Sequence, residues 1–216
     1  MDNKTLGAGN DTFESANTTT TQTLNAGDVL NGGTAGTDKL SITVANIANI
    51  GGGVQTTSVE QLSISAVTVA TIVDAAQMAG VTDIFNNASQ TDITVNNLAA
   101  LANVHTISSS ASTTANFAAA AVAGTADAIV VALTGAATTT SNTVTVNGVE
   151  TITVSATGTS GSTSADGITT TRTTIASDAL KSLTVSGTGT AKLTATMSGA
   201  QTGTTGAAAT VTGSAG

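Results

Sequence analysis

The chain of 216 residues contains no cysteine, no proline, no tryptophan and no tyrosine, and only three phenylalanines. Without cysteine there is no disulfide and no thiolate metal site. Without proline, the hydrogen-bond ladders of a sheet can run uninterrupted. Scarce aromatics exclude the usual anchors of a globular core. A narrow coil filled by Val, Ile, Leu and Ala escapes that limit, and hydrophobic residues still make up 40%. Charged residues are 8%, against roughly a quarter in an ordinary domain, so Thr, Ser and Asn must supply the polar surface. Five Lys and Arg face 13 Asp and Glu, for a net charge of -8. Neutralising phosphates needs cations, so nucleic acid is excluded as a partner. No apolar run is long enough to cross a bilayer as a helix, so no membrane insertion is expected. The start, Met1-Asp2-Asn3-Lys4, lacks the apolar core of a secretory signal. The chain reads as an excerpt of a larger protein, with Met1 added for expression.

What is present is a recurring six-residue word. It appears as Thr37-Asp38-Lys39-Leu40-Ser41-Ile42, Val59-Glu60-Gln61-Leu62-Ser63-Ile64 and Val81-Thr82-Asp83-Ile84-Phe85-Asn86. Four more copies follow: Val104-His105-Thr106-Ile107-Ser108-Ser109, Ala126-Asp127-Ala128-Ile129-Val130-Val131, Val149-Glu150-Thr151-Ile152-Thr153-Val154 and Leu180-Lys181-Ser182-Leu183-Thr184-Val185. The starts lie 22, 22, 23, 22, 23 and 31 residues apart, and the fourth position is always Leu or Ile. A near-constant period of this size predicts a solenoid, one supersecondary unit per turn.

Alternation of apolar and polar residues inside each copy is the strand signature. Leu40, Ile42 and Val44 are expected to point inward, with Ser41 and Thr43 outward. A second strand follows several copies, at Asp92–Val95, Thr114–Phe117 and Lys192–Ala195. The fold class expected is all-β: a parallel β-solenoid, right-handed by the crossover preference, with about 22 residues per turn. Nine or ten turns about 4.8 Å apart would give a rod on the order of 45 Å. Corners are expected at Asn46, 51–53, Asn86-Asn87, Asn96-Asn97, Gly124, Gly135 and Gly148. The Ala-rich stretches 74–79 and 116–122 have helical composition but fall between strands, and read as corner excursions or as strands with small inward residues. The organisation expected is Gly/Asp turns over 1–36, a solenoid over 37–198 with a loop insertion at 156–167, and a low-complexity tail or truncated turn over 199–216.

Candidate chemistry concentrates near the N-terminus. Gly7-Ala8-Gly9-Asn10-Asp11-Thr12-Phe13 and Gly32-Gly33-Thr34-Ala35-Gly36-Thr37-Asp38-Lys39-Leu40 resemble the Gly-Gly-x-Gly-x-Asp nonapeptide of calcium rolls, and Asn25-Ala26-Gly27-Asp28-Val29-Leu30 is a poorer copy. Glycine permits the tight turn and exposes carbonyls, aspartate adds a charged oxygen, and calcium takes six to eight oxygens. The expected metal residues are therefore Gly7, Gly9, Asp11, Asp28, Gly33, Gly36 and Asp38, with calcium as the ion. The alternative is that these are plain Gly-Asp turns at corners.

The second position of the hexapeptide (Asp38, Glu60, Thr82, His105, Asp127, Glu150, Lys181) forms a further set. It is expected as a solvated polar strip along an outer edge, or as a cation or lattice contact that relieves stacked like charges. His105 is the only histidine, so a zinc site or a histidine-based catalyst is not expected. No serine or threonine sits in a nucleophile motif, and the glycine run 51–53 lacks the lysine and helix start of a phosphate loop. Paired carboxylates for glycoside hydrolysis stay open, without the aromatic and basic residues that such sites usually add. No catalytic residue is therefore assigned.

The words Gly-Asn-Asp-Thr-Phe at 9–13, Leu-Asn-Ala-Gly-Asp-Val-Leu-Asn-Gly-Gly-Thr-Ala-Gly-Thr-Asp-Lys-Leu at 24–40 and Val-Glu-Thr-Ile-Thr-Val at 149–154 resemble bacterial S-layer proteins of the repeats-in-toxin class, the Caulobacter type. Large secreted adhesins share this vocabulary. The resemblance implies export to the bacterial cell surface by a type I system and calcium-dependent assembly with copies of itself into a two-dimensional lattice. It also implies attachment to cell-surface polysaccharide through a domain not visible in this chain. Two readings follow: a structural subunit fragment of a surface layer, or a calcium-stabilised stalk or binding segment of an adhesin. A polysaccharide-acting enzyme is a third.

Overall fold

The computed structural model describes residues 3–135, 141–157, 159–160, 162–163, 169–171, 173–188, 190–197, 208–209 and 212–214. The chain is an all-β parallel solenoid of about seven turns, spaced about 23 residues apart. This is fewer than the nine or ten turns expected, because the eight-stranded ladder covers only residues 12–187 and its turns run from 20 to 31 residues.

One face is an eight-stranded parallel sheet. Its strands run, in spatial and chain order alike, Thr12–Asn17, Lys39–Val44, Gln61–Ala66, Asp83–Asn87, Asn103–Ile107, Ala128–Thr134, Thr151–Thr157 and Ser182–Gly187. A second sheet takes Asn49–Ile50, Thr71–Asp74, Ile93–Leu98, Thr113–Phe117, Asn142–Val146, Thr173–Ser177 and Thr190–Met197, all parallel. Lys4–Thr5, Val29–Asn31 and Gln55–Thr57 add a short third sheet beside the first turns. Phe13 pairs with Leu40, so part of segment 1–36 enters the main sheet.

The core is a set of aliphatic columns. One reads Phe13, Leu40, Leu62, Ile84, Val104, Val131, Val154, Val185 along the eight-stranded sheet. Facing it from the second sheet stand Ile50, Val73, Val95, Ala115 and Val146. Each fully buried Leu, Ile or Val stabilises by about 1.5–3 kcal/mol relative to exposure. Small inward residues such as Ala115 suit a coil this narrow, as the scarcity of aromatics requires. Leu183 and Val185, at the last turn, are only partly buried.

The hexapeptide register holds over three copies and then breaks. Leu40, Leu62 and Ile84 pair as expected. Ile84 then pairs with Val104, 20 residues on, and Val104 with Val131, 27 residues on. Ile107, expected in the core column, is half-exposed, while Val104 and Thr106 are buried. Ile129, Ile152 and Leu183 resume the pattern one rung ahead of the first block.

The corners depart in places too. Asn46 and Asn97 adopt positive φ, as do Gly51, Gly53, Gly135 and Gly148. Asn86, expected at a corner, instead lies in a strand with its side chain fully buried. The Ala-rich stretches are strand ends (Thr71–Asp74, Thr113–Phe117) followed by turns, with no helix among the described residues. Ala156 and Thr157 close the strand Thr151–Thr157. Thr159–Ser160 and Ser162–Thr163 are strand, and the rest of the 156–167 insertion lies outside the described residues. In the tail, Ala208–Ala209 and Thr212–Ser214 run antiparallel to Thr190–Met197.

Candidate functional site

Gly7, Gly9 and Asp11 lie directly under Gly33, Gly36 and Asp38. Gly9 N–H donates to the Ala35 carbonyl at 3.0 Å and Lys39 N–H to the Asp11 carbonyl at 2.9 Å. Gly33 and Gly36 have φ of +105° and +108°. A Cβ at Gly33 would fall 2.0 Å from the Gly7 carbonyl oxygen, and one at Gly36 1.9 Å from that of Gly9. Only glycine lets two turns stack this closely.

Asp38 is buried, and its Oδ1 accepts from the Asp11 N–H at 2.8 Å. Its Oδ2 lies against Gly32, where a Cβ would come within 2.4 Å of it. Asp28 does not belong to this corner. It precedes the strand Val29–Asn31, and its Oδ2 accepts from the Asn25 N–H at 2.8 Å. The structure thus stacks six of the seven expected metal residues as three pairs on two adjacent turns and separates the seventh. The donor types, carboxylate and glycine carbonyl, suit calcium, but one Asp38 oxygen is already engaged by a backbone N–H. No three His, Asp or Glu side chains gather as a metal-holding group among the described residues.

The Asp38 contact recurs as a rule. Glu60 Oε2 accepts from the Asp38 N–H at 2.8 Å, and Glu150 Oε2 from the Asp127 N–H at 3.0 Å. Each acid immediately precedes a strand and reaches back one turn to a corner amide. The polar strip expected to be solvated is therefore turned inward at two of its acids, Asp38 at 1% exposed and Glu150 at 7%, while Glu60 and Asp127 are half-buried. The physical reason is parity. The second and fourth positions are two residues apart, so they share one side of the pleat, and the fourth faces the core. Lys181 Nζ stands 3.7 Å from Glu150 Oε1 and is itself largely exposed. Asp127 Oδ2 is buried without a hydrogen-bond partner.

His105 breaks the rule. Keeping the hexapeptide register would place it on the core side with Ile107. The slipped strand puts it outside instead, where Nε2 meets Asp83 Oδ1 at 2.8 Å and the ring stacks on Phe85 with centroids 4.3 Å apart. Burial would raise the Asp83 pKa. The hydrogen bonds from His105, Thr82 and Asn103, with the His105 charge, outweigh that and hold it below the usual carboxylate value.

A groove of about 450 Å³ lies over the N-terminal end of the second sheet. It is lined by Asn17, Gln22, Asn25, Asn49 and Asp74 together with the aliphatic Leu24, Ile47 and Ile72. Asn25 and Asp74 fall in stretches whose sequence reads as a Gly/Asp turn and an Ala-rich corner, but the groove itself is not legible from the sequence, because three separate turns contribute its lining.

Compared with known family models, curated proteins and solved structures, the chain matches none.

Proposed function

We propose that this chain is a structural segment of a calcium-dependent bacterial surface layer, and that it associates with copies of itself into a two-dimensional lattice. The observation that carries this reading is the stack of equivalent turns. It presents a broad sheet rich in Ser and Thr side chains to the outside, while Asp38, Glu60 and Glu150 are spent on corner amides. Such a body is suited to repeated side-by-side contact. The words shared with S-layer proteins support a cell-surface location and type I export.

Calcium belongs, in this reading, at the corner where Gly7, Gly9 and Asp11 meet Gly33, Gly36 and Asp38. There it would bridge two turns through oxygens, in competition with the Asp11 N–H. Electron microscopy of chelator-treated protein, before and after millimolar calcium, tests the proposal. Ordered sheets that dissolve on chelation are expected. A monomer stabilised by calcium that never forms sheets would favour the adhesin stalk. A melting temperature unchanged by calcium and by chelator would remove the ion, and turnover of a glycan would overturn the structural reading.

A further inference from the structure

We propose that the outer face of the eight-stranded sheet is a self-association face, centred on the Phe85–His105 stack and occupied by the same face of a second copy. This rests on the self-assembly reading above and names the surface that would carry it.

Three observations converge. The first is area. Eight strands about 4.8 Å apart and six residues of about 3.3 Å each outline roughly 600 Å². That matches the lower range of a stable interface, about 600–1,000 Å² per partner.

The second is charge. The chain carries a net -8, so two copies repel unless they meet on a face poor in carboxylates. Two of the three outward columns of this sheet read Thr12, Lys39, Gln61, Asp83, Asn103, Val130, Thr153, Thr184 and Glu14, Ser41, Ser63, Phe85, His105, Ala132, Ser155, Ser186, and the third, which holds Thr43, Ser65, Ile107, Thr134 and Thr157, has no carboxylate. Their carboxylates are Glu14, at one end, and Asp83, whose charge is tied to His105.

The third is the composition of the centre. Phe85, Ile107, Val130 and Ala132 lie on neighbouring rungs around His105. Val130 is one of two large hydrophobics described as exposed. Apolar side chains gathered mid-face and rimmed by hydroxyls have the anatomy of an interface. Two identical faces meeting about a two-fold axis satisfy each other.

The absence of native cysteine makes a direct test possible. Ala132→Cys places one thiol at the centre of the face, and Thr114→Cys places one on the outward side of the second sheet. With a short bis-maleimide, Ala132→Cys is expected to form covalent dimers about tenfold faster than Thr114→Cys, a difference of about 1.4 kcal/mol in local association. Adding Val130→Lys to Ala132→Cys should abolish that advantage, and circular dichroism should show the fold intact. Equal rates for the two single variants, or an advantage that survives Val130→Lys, would overturn the proposal. Lattice formation is scored separately on the native chain. Selective cross-linking without sheets leaves this face standing and removes the lattice. Sheets with cross-linking through Thr114→Cys do the reverse.

Discussion

Replacing Glu150 by alanine should destabilise the solenoid through a backbone amide on the neighbouring turn. Glu150 Oε2 accepts from the Asp127 N–H at 3.0 Å, and the side chain is nearly buried. A hydrogen bond to a charged group contributes about 1.5–3 kcal/mol, and its loss leaves that amide without its acceptor. The Lys181 contact at 3.7 Å adds little, because the lysine side chain is 57% exposed and such pairs are worth about 0–1 kcal/mol. Against the loss stands relief for Asp127, whose Oδ2 is buried and unpartnered one turn below. The net expectation is about 2 kcal/mol, or a fall in Tm of about 4–8 °C for a chain of this size. Glu150→Gln keeps an acceptor oxygen and should lose about half as much. Lys181→Ala should change Tm by less than about 4 °C. Thermal melts of the three variants at neutral pH decide the matter. If Lys181→Ala costs as much as Glu150→Ala, the surface ion pair and not the capped amide holds the corner, and the reasoning fails.

Thr106→Val should raise stability by about 1 kcal/mol, because the hydroxyl is fully buried without a partner and valine has nearly its shape; a urea midpoint that falls would contradict this. Gly36→Ala should cost about 2 kcal/mol or more, since φ of +108° and the Gly9 carbonyl leave no room for a Cβ. The loss should be read as lower hydrogen-exchange protection confined to the first turns, and global unfolding at unchanged local protection would refute it. Asp83 has its pKa lowered by folding, so it contributes stability above its unfolded value of about 3.9, and that contribution is lost as pH falls through the lower folded value. Asp83→Asn should therefore be less stable than the native chain at neutral pH and converge with it in acid; parallel Tm-against-pH curves would show that the His105 contact contributes nothing. Ile152→Ala, at a fully buried rung, should lose about 2–5 kcal/mol, with chemical denaturation as the measurement.

Much of the fold was legible because the pleat repeats every two residues and the turn every 22 or so. Leu40, Ile42, Leu62, Ile64, Ile152 and Val154 announce the inward side, and the structure buries all six. The fourth copy was not legible for a definite reason. Val104 and Ile107 differ by three positions, so they cannot both face the core, and alternation alone does not choose between them. The choice is made by what each register does with the residue between. Ile107 inward would carry His105 and Asn103 inward as well, into a coil with no charged partner for the ring. Val104 inward places His105 beside Asp83 and Phe85 and buries only the Thr106 hydroxyl. An odd slip therefore costs one unsatisfied hydroxyl, roughly 1–3 kcal/mol, and avoids burying an imidazole and an amide together.

The same parity argument explains the acids. A carboxylate two residues before an inward leucine is itself directed inward, and at a corner the free backbone amide of the previous turn is the group waiting for it. Asp38, Glu60 and Glu150 are thereby structural, which leaves the calcium reading resting on one corner where Asp11 and Asp38 share a column. If the ion displaces the Asp11 amide from Asp38 Oδ1, the Asp11 N–H should gain hydrogen exchange on calcium addition while the equivalent Asp127 N–H, capped by Glu150 far from any Gly-Asp turn, stays protected. A corner filled by the amide alone would leave both unchanged.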